Sequence, residues 1–115
     1  MSWRGFRDLL VYRKSVDFAG EVHGTASRWE SFDRWTVGIQ LVRSADSVGA
    51  NIAEGLGRRG TADQRRLLFI ARGSAFETEH WIDVAVDRGL ACPPSAQDRA
   101  AELGRMLNGL LSPDN

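Results

Sequence analysis

The sequence predicts an all-α protein, an antiparallel up-and-down bundle of four helices. Apolar residues recur at three- and four-residue steps in four separate stretches. Glycine, proline and small polar residues gather between those stretches, and the connections are short enough to make consecutive helices antiparallel neighbours. No run alternates apolar and polar residues between turn signals, so nothing reads as a strand. With 115 residues, 43% of them apolar and 26% charged, the chain fits one domain around one core.

The first helix is expected over residues 8–23. Leu9, Tyr12, Val16, Ala19 and Val22 make one stripe, Asp8 caps or loads the first turn, and Gly24 with Thr25 reads as a stop. Residues 25–33 read as a connection in which Trp29 and Phe32 close the end of the core. The second helix is expected over residues 34–58, with Val37, Leu41, Ser44, Ala45, Val48, Ile52 and Ala53 facing inward. Much of that face is small and admits a close neighbour, while Gly49 marks a place for a one-turn irregularity. Gly55, Gly57 and Gly60 end it.

Thr61 and Gln64 have capping-box spacing ahead of a third helix over residues 62–88. Leu67, Ile70, Ala71, Ser74, Trp81, Val84 and Ala85 form its stripe, and Gly89 is its C-terminal stop. Cys92-Pro93-Pro94 cannot continue a helix. Ser95 caps a fourth helix over residues 95–111, lined by Ala96, Ala100, Leu103, Leu107 and Leu110, with Pro113 beyond it.

Several function classes find no support. The charges balance, 15 Lys and Arg against 15 Asp and Glu, whereas a protein coated in phosphate contacts carries a basic excess. Lys14 is the only lysine. The lone Cys92 has no context for redox or nucleophilic work. The opening, with Trp3, Arg4, Arg7 and Asp8, does not read as a signal peptide, and no apolar run is long enough to span a membrane. A cytoplasmic protein is the expectation. Glu77 and His80 supply one Glu-x-x-His spacing, but a di-metal bundle needs a second copy, and His23 stands alone. No phosphate loop, dinucleotide fingerprint or base-oriented nucleophile is present. Neither an enzyme nor a cofactor or metal is expected.

The polar centre is more informative. Asn51 and Glu54 share a helix face, and Arg72, Glu77 and Glu79 follow on the next helix. A turn centred near residue 60 brings Glu54 level with Arg66 and Val48 level with Arg72. Asn51, Glu54, Arg72, Glu77 and Glu79 are therefore a candidate polar network that fixes helix register. If Glu54 or Glu77 is a buried partner of arginine, truncating it should cost ~3–5 kcal/mol. Arg58, Arg59, Arg65 and Arg66 gather at the same turn, and an alternative reading makes them contacts to RNA or DNA phosphates. Charge is also segregated. Residues 43–72 hold six arginines and three acids, and residues 73–115 hold three arginines and seven acids. Opposed patches of this kind suit self-association or a polar partner.

Apolar residues exceed what one core needs. Leu10, Val11 and Phe18 lie off the first stripe, and Leu68, Phe69 and Phe76 flank the third. A second apolar face must be covered, and a further copy of the chain is the simplest cover. A closed homo-oligomer is therefore expected, with two-fold pairing the commonest form on general grounds.

The stretches 51-NIAEGLGRR-59 and 70-IARGSAFETE-79 resemble the paired signature of the bacterial four-helix bundle proteins encoded in intervening sequences of large-subunit ribosomal RNA genes. The opening 8-DLLVYRKSVDF-18 resembles that family's first helix, with Tyr12 where tryptophan is usual. Gln40, Leu41 and Arg43 fall on its Q-[IL]-R-R stretch, with Val42 in place of the first arginine. Gly49 and Ala50 replace a Pro-Ser pair, and Leu67 replaces phenylalanine. The similarity covers roughly residues 6–111. It implies an up-and-down bundle that assembles into a ring of five subunits and has no established activity. It also implies kinship to the accessory protein of diversity-generating retroelements, which associates with a reverse transcriptase and nucleic acid. That relative is strongly basic and this chain is neutral.

Overall fold

The computed structural model describes residues 5–113, and among these it holds four long helices and no strand. Residues 1–4 and 114–115, which include Trp3 and Arg4 of the charged opening, lie outside the described residues. A 3-10 turn, Gly5–Asp8, leads into α1, Leu10–Ala26. Helix α2 covers residues 31–56 without a break, through Ser31–Asp33, a π turn at Arg34–Gly38 and Ile39–Leu56. Helix α3 is Thr61–Asp87 and α4 is Ala96–Leu111. The molecule is a rod of 46 × 23 × 21 Å.

Side-chain contacts give the topology. Ser47 meets Ser74 and Ser44 meets Thr78, so α2 and α3 run antiparallel. Asp83 meets Gln97 and Arg72 meets Asn108, so α3 and α4 do too. Glu21 with Arg99 and Lys14 with Glu102 close the ring of neighbours from α1 to α4. The interface of α2 with α3 is the largest, and that of α1 with α4 the smallest. Val22, Val48, Ile52, Ala71, Ile82, Ala100 and Leu107 are fully enclosed at the centre.

The helix ends differ from expectation for local reasons. Gly24 and Thr25 do not stop α1. A helical glycine costs only ~1 kcal/mol, and Ala26 beyond it is buried in the core. The stop comes at Ser27, whose hydroxyl donates to the Gly24 carbonyl. Leu9, rather than Asp8, holds the N-cap position of α1. The irregularity expected near Gly49 lies instead at Arg34–Gly38. The Trp29 ring packs against Gly38 there, where a side chain's first carbon would sit 3.5 Å from the indole. Trp29 closes the core as expected and donates to the Ala91 carbonyl at 2.9 Å. Phe32 does not, being 78% exposed.

The capping box is displaced as well. Gly60 is the N-cap of α3, and the Gln64 amide reaches back to the Arg58 carbonyl at 2.7 Å. Ser95 makes no side-chain cap; it sits in the left-handed region, φ 54°, and its carbonyl accepts from the Arg99 amide. Gly89 acts as expected. At φ 74° it lets the Leu90 amide reach the Ala85 carbonyl while its own amide bonds Val86, a Schellman closure.

Two stripes rotate relative to the sequence reading. In α1 the buried line is Val11, Ser15, Phe18, Ala19 and Val22, while Val16 is 48% exposed and Leu9 and Tyr12 are half-buried. In α3 the buried line takes in Leu68, Ala75, Thr78 and Ile82, while Ile70 is exposed and Trp81 half-buried. Both helices are apolar on two sides, so helical spacing alone left the choice of inward face open.

Candidate functional site

The expected carboxylate–arginine network does not assemble between α2 and α3. Glu54 is exposed and accepts from Arg58, just past the end of its own helix, at 2.7 Å, not from Arg66. Glu77 is exposed and accepts from the Trp81 indole at 3.0 Å. Arg72 donates to Asn108 of α4 at 2.7 Å, on the opposite flank of α3. Glu79 is half-buried on that flank. Asn51 alone of the five is at the seam, where its amide reaches the hydroxyl and carbonyl of Ser47. Lying level along the axis does not make two side chains face each other: successive residues point about 100° apart, and Glu54, Arg66 and Glu77 project from outer faces of their helices while Ile52, Ser74 and Thr78 turn inward.

Small hydroxyls occupy that seam instead. Ser74 Oγ lies 3.0 Å from Ser47 Oγ, and Thr78 Oγ1 lies 3.1 Å from Ser44 Oγ. Thr78 also lies 2.7 Å from the Ser74 carbonyl, and Ser44 donates to the Leu41 carbonyl. No buried side-chain polar atom is left without a partner among the described residues. The signal for this ladder was present as small polar residues at three- and four-residue steps, 44, 47 and 51 against 74 and 78.

The four arginines of the second turn do not form one patch. Arg58 is engaged with Glu54, and Arg66 lies 3.9 Å from Asp63. Arg65 turns to α4 and donates to the Leu111 carbonyl, satisfying a helix C-terminus. Arg59 is exposed. His80 stacks edge-on against Trp81, His23 lies elsewhere on α1, and no three metal-binding side chains converge among the described residues. Burial pushes the Cys92 thiol up from its ordinary range. On the α1–α4 seam, the hydrogen bond from Arg99 holds the Glu21 carboxyl down.

Two outer surfaces stand out. The first is a trough along α1 and α2. Its lower part, about 520 Å³, is walled by Tyr12, Val16, Gly20, Gly49, Ala50 and Asp46. Its upper part, about 360 Å³, is walled by Trp35, Ile39, Val42, Arg34 and Arg43. His23 borders both parts. The second surface is a ridge on α3, where Arg65, Phe69, Arg72 and Phe76 follow one another up the helix. The Arg72 guanidinium lies 5.0 Å from the Phe69 ring centre and 5.7 Å from that of Phe76. Phe76 remains 50% exposed and Trp35 65%.

No described helix is long and apolar enough to cross a membrane. Fold and surfaces together define a four-helix bundle whose features lie on its flanks rather than in a central pocket. The chain belongs to the 23S rRNA-intervening sequence protein family, whose model matches residues 7–109. It is similar to a crystal structure from Bacteroides thetaiotaomicron, described as a protein of unknown function from the S23 ribosomal protein family. The two share 25% identity at a TM-score of 0.82, over 90% of this chain and 99% of that one. No curated protein matches the sequence.

Proposed function

We propose that the chain is a non-enzymatic, self-assembling scaffold or interaction protein of the cytoplasm, which closes into a ring of identical subunits. The carrying observation is the set of large apolar side chains left on the surface of one subunit. Leu10, Val16, Phe32, Trp35, Phe69, Ile70, Phe76, Val86 and Leu110 are all exposed, on several flanks of the rod. Where such side chains gather, as Phe69 and Phe76 do on either side of Arg72, exposed apolar surface marks a protein contact. Five subunits is the number supported by the family resemblance. Sedimentation at micromolar concentration tests the reading. One subunit is 12.7 kDa, and a ring of five has a mass of about 64 kDa. A species near 25 kDa would retain assembly and remove the ring of five, and one near 13 kDa would remove assembly.

The alternative, a nucleic-acid accessory protein, rests on Arg58, Arg59, Arg65 and Arg66. It is the weaker reading, because Arg58 and Arg65 are engaged within the subunit and Arg66 stands near Asp63. Binding of a fluorescent single-stranded RNA that weakened steeply with salt would favour it.

A further inference from the structure

We infer that the contact between copies is heterologous, with the α3 ridge of one subunit seated in the α1/α2 trough of the next. This rests on the self-assembly reading and adds the two surfaces, their polarity and their register. The occupant is a second copy because the two surfaces match in charge along their length.

The ridge is one stripe of α3. Arg65, Phe69, Arg72, Phe76, Asp83 and Asp87 fall within about 40° of one line at 100° per residue. It is basic and aromatic at its start and acidic at its end. The trough is ordered the opposite way. Asp46 stands among small residues in its lower part, while Arg34 and Arg43 line its upper part. Among the described residues, neither of these arginines makes a side-chain hydrogen bond or ion pair. The reverse orientation would set Arg65 and Arg72 against Arg34 and Arg43, so the charges choose one direction.

Spacing agrees with that direction. Arg72 to Asp83 spans ~16 Å along α3, and Asp46 to Arg34 spans ~18 Å along α2. With Arg72, whose guanidinium also holds Asn108, at Asp46, and Asp83, whose carboxylate also accepts from Gln97, at Arg34, α3 runs antiparallel to the neighbour's α2. Phe69 then reaches the level of Gly49 and Ala50, where side chains are small, and Phe76 reaches Val42 and Ile39. Large knobs thereby meet a small-walled lower trough and an apolar upper one. Ridge and trough belong to different helices of one subunit, so each copy offers both halves of the contact, as a closed ring requires.

A mixing experiment tests this. Gly20→Arg/Ala50→Arg fills the trough with like charge opposite Arg65 and Arg72; both positions are exposed, and a first side-chain carbon at Gly20 meets nothing within 4 Å. Phe69→Asp/Phe76→Asp removes the ridge. Each variant, checked for helicity by circular dichroism, should sediment as a subunit of 12.7 kDa. Their equimolar mixture should form a pair of about 25 kDa, because each retains the half the other lacks. If wild type assembles and the folded variants stay separate on mixing, the ridge–trough pairing is wrong and self-assembly stands. If wild type itself is a single subunit, both readings fall. A second arm covers misfolding of either double variant. Asp46→Arg, on an exposed position, should dissociate the assembly, and Arg72→Asp added to it should restore the wild-type mass. Failure of that restoration in a helical protein also overturns the register.

Discussion

Helix α1 approaches α2 closely at Gly49, and the approach can be measured by adding single carbons. A first side-chain carbon at Gly49 would lie 3.0 Å from Ser15 Oγ, 3.6 Å from Val16 Cγ2 and 3.7 Å from Tyr12 Cε1. The same carbon at Gly73, in the middle of α3, meets nothing within 4 Å. Both glycines are helical, so alanine should gain ~1 kcal/mol of helix propensity at either site before packing is considered. Gly73→Ala should keep that gain, raising Tm by about 4 °C in a domain of this size. At Gly49 the Ser15 hydroxyl must give way, and it is held by a 2.7 Å bond to the Tyr12 carbonyl. Gly49→Ala should therefore fall below Gly73→Ala, and Gly49→Leu should cost ~1–3 kcal/mol through overpacking. Adding Ser15→Ala to Gly49→Ala should recover part of the difference, a coupling of ~0.5–3 kcal/mol. Urea denaturation of wild type, these four variants and the Ser15→Ala single variant that closes the cycle supplies every number. Gly49→Leu as stable as wild type would show that α1 and α2 do not touch at this level.

Three further outcomes follow from the same contacts. Thr78→Val keeps shape in a fully buried site, and Ser44 keeps its bond to Leu41; the loss should be ~0.5–1.5 kcal/mol, and a loss near 4 kcal/mol by denaturation would mean that a polar partner is stranded. Glu54→Ala should change stability by no more than ~0.5 kcal/mol, the worth of an exposed ion pair, and a cost near 3 kcal/mol would restore the buried network the sequence suggested. Arg99 lowers the Glu21 pKa from its ordinary 4.5, so the contribution of this pair is present above pH 4.5 and is lost as pH falls through the lowered folded value. Glu21→Gln should accordingly melt below wild type at pH 7, with the gap closing in acid; a gap unchanged at pH 2 would exclude the ion pair as its source.

The division between sequence and structure runs along helix rotation. Helical spacing, Gly89 and the Cys92-Pro93-Pro94 break were enough to determine four helices in order, because these are local effects within a turn or two of chain. The extra apolar faces of the first and third helices were legible in the same way. Which face turns inward was not. Val11 and Phe18 displaced Val16 from the core, and Leu68 and Ile82 displaced Ile70, because either face of an all-round apolar helix satisfies the spacing and only packing against the neighbouring helices selects one. The candidate network failed for the same reason. Glu54 and Arg66 were nearly level along the axis, yet each points away from the other helix, and level position says nothing about the direction in which a side chain leaves its helix. Tertiary contact also decided where the π turn falls, since Gly38 yields to Trp29, a residue nine positions away that local spacing does not relate to it. Ser44, Ser74 and Thr78 were visible as small residues; that their hydroxyls face one another across α2 and α3 depends on register, and register exists only once the two helices have packed.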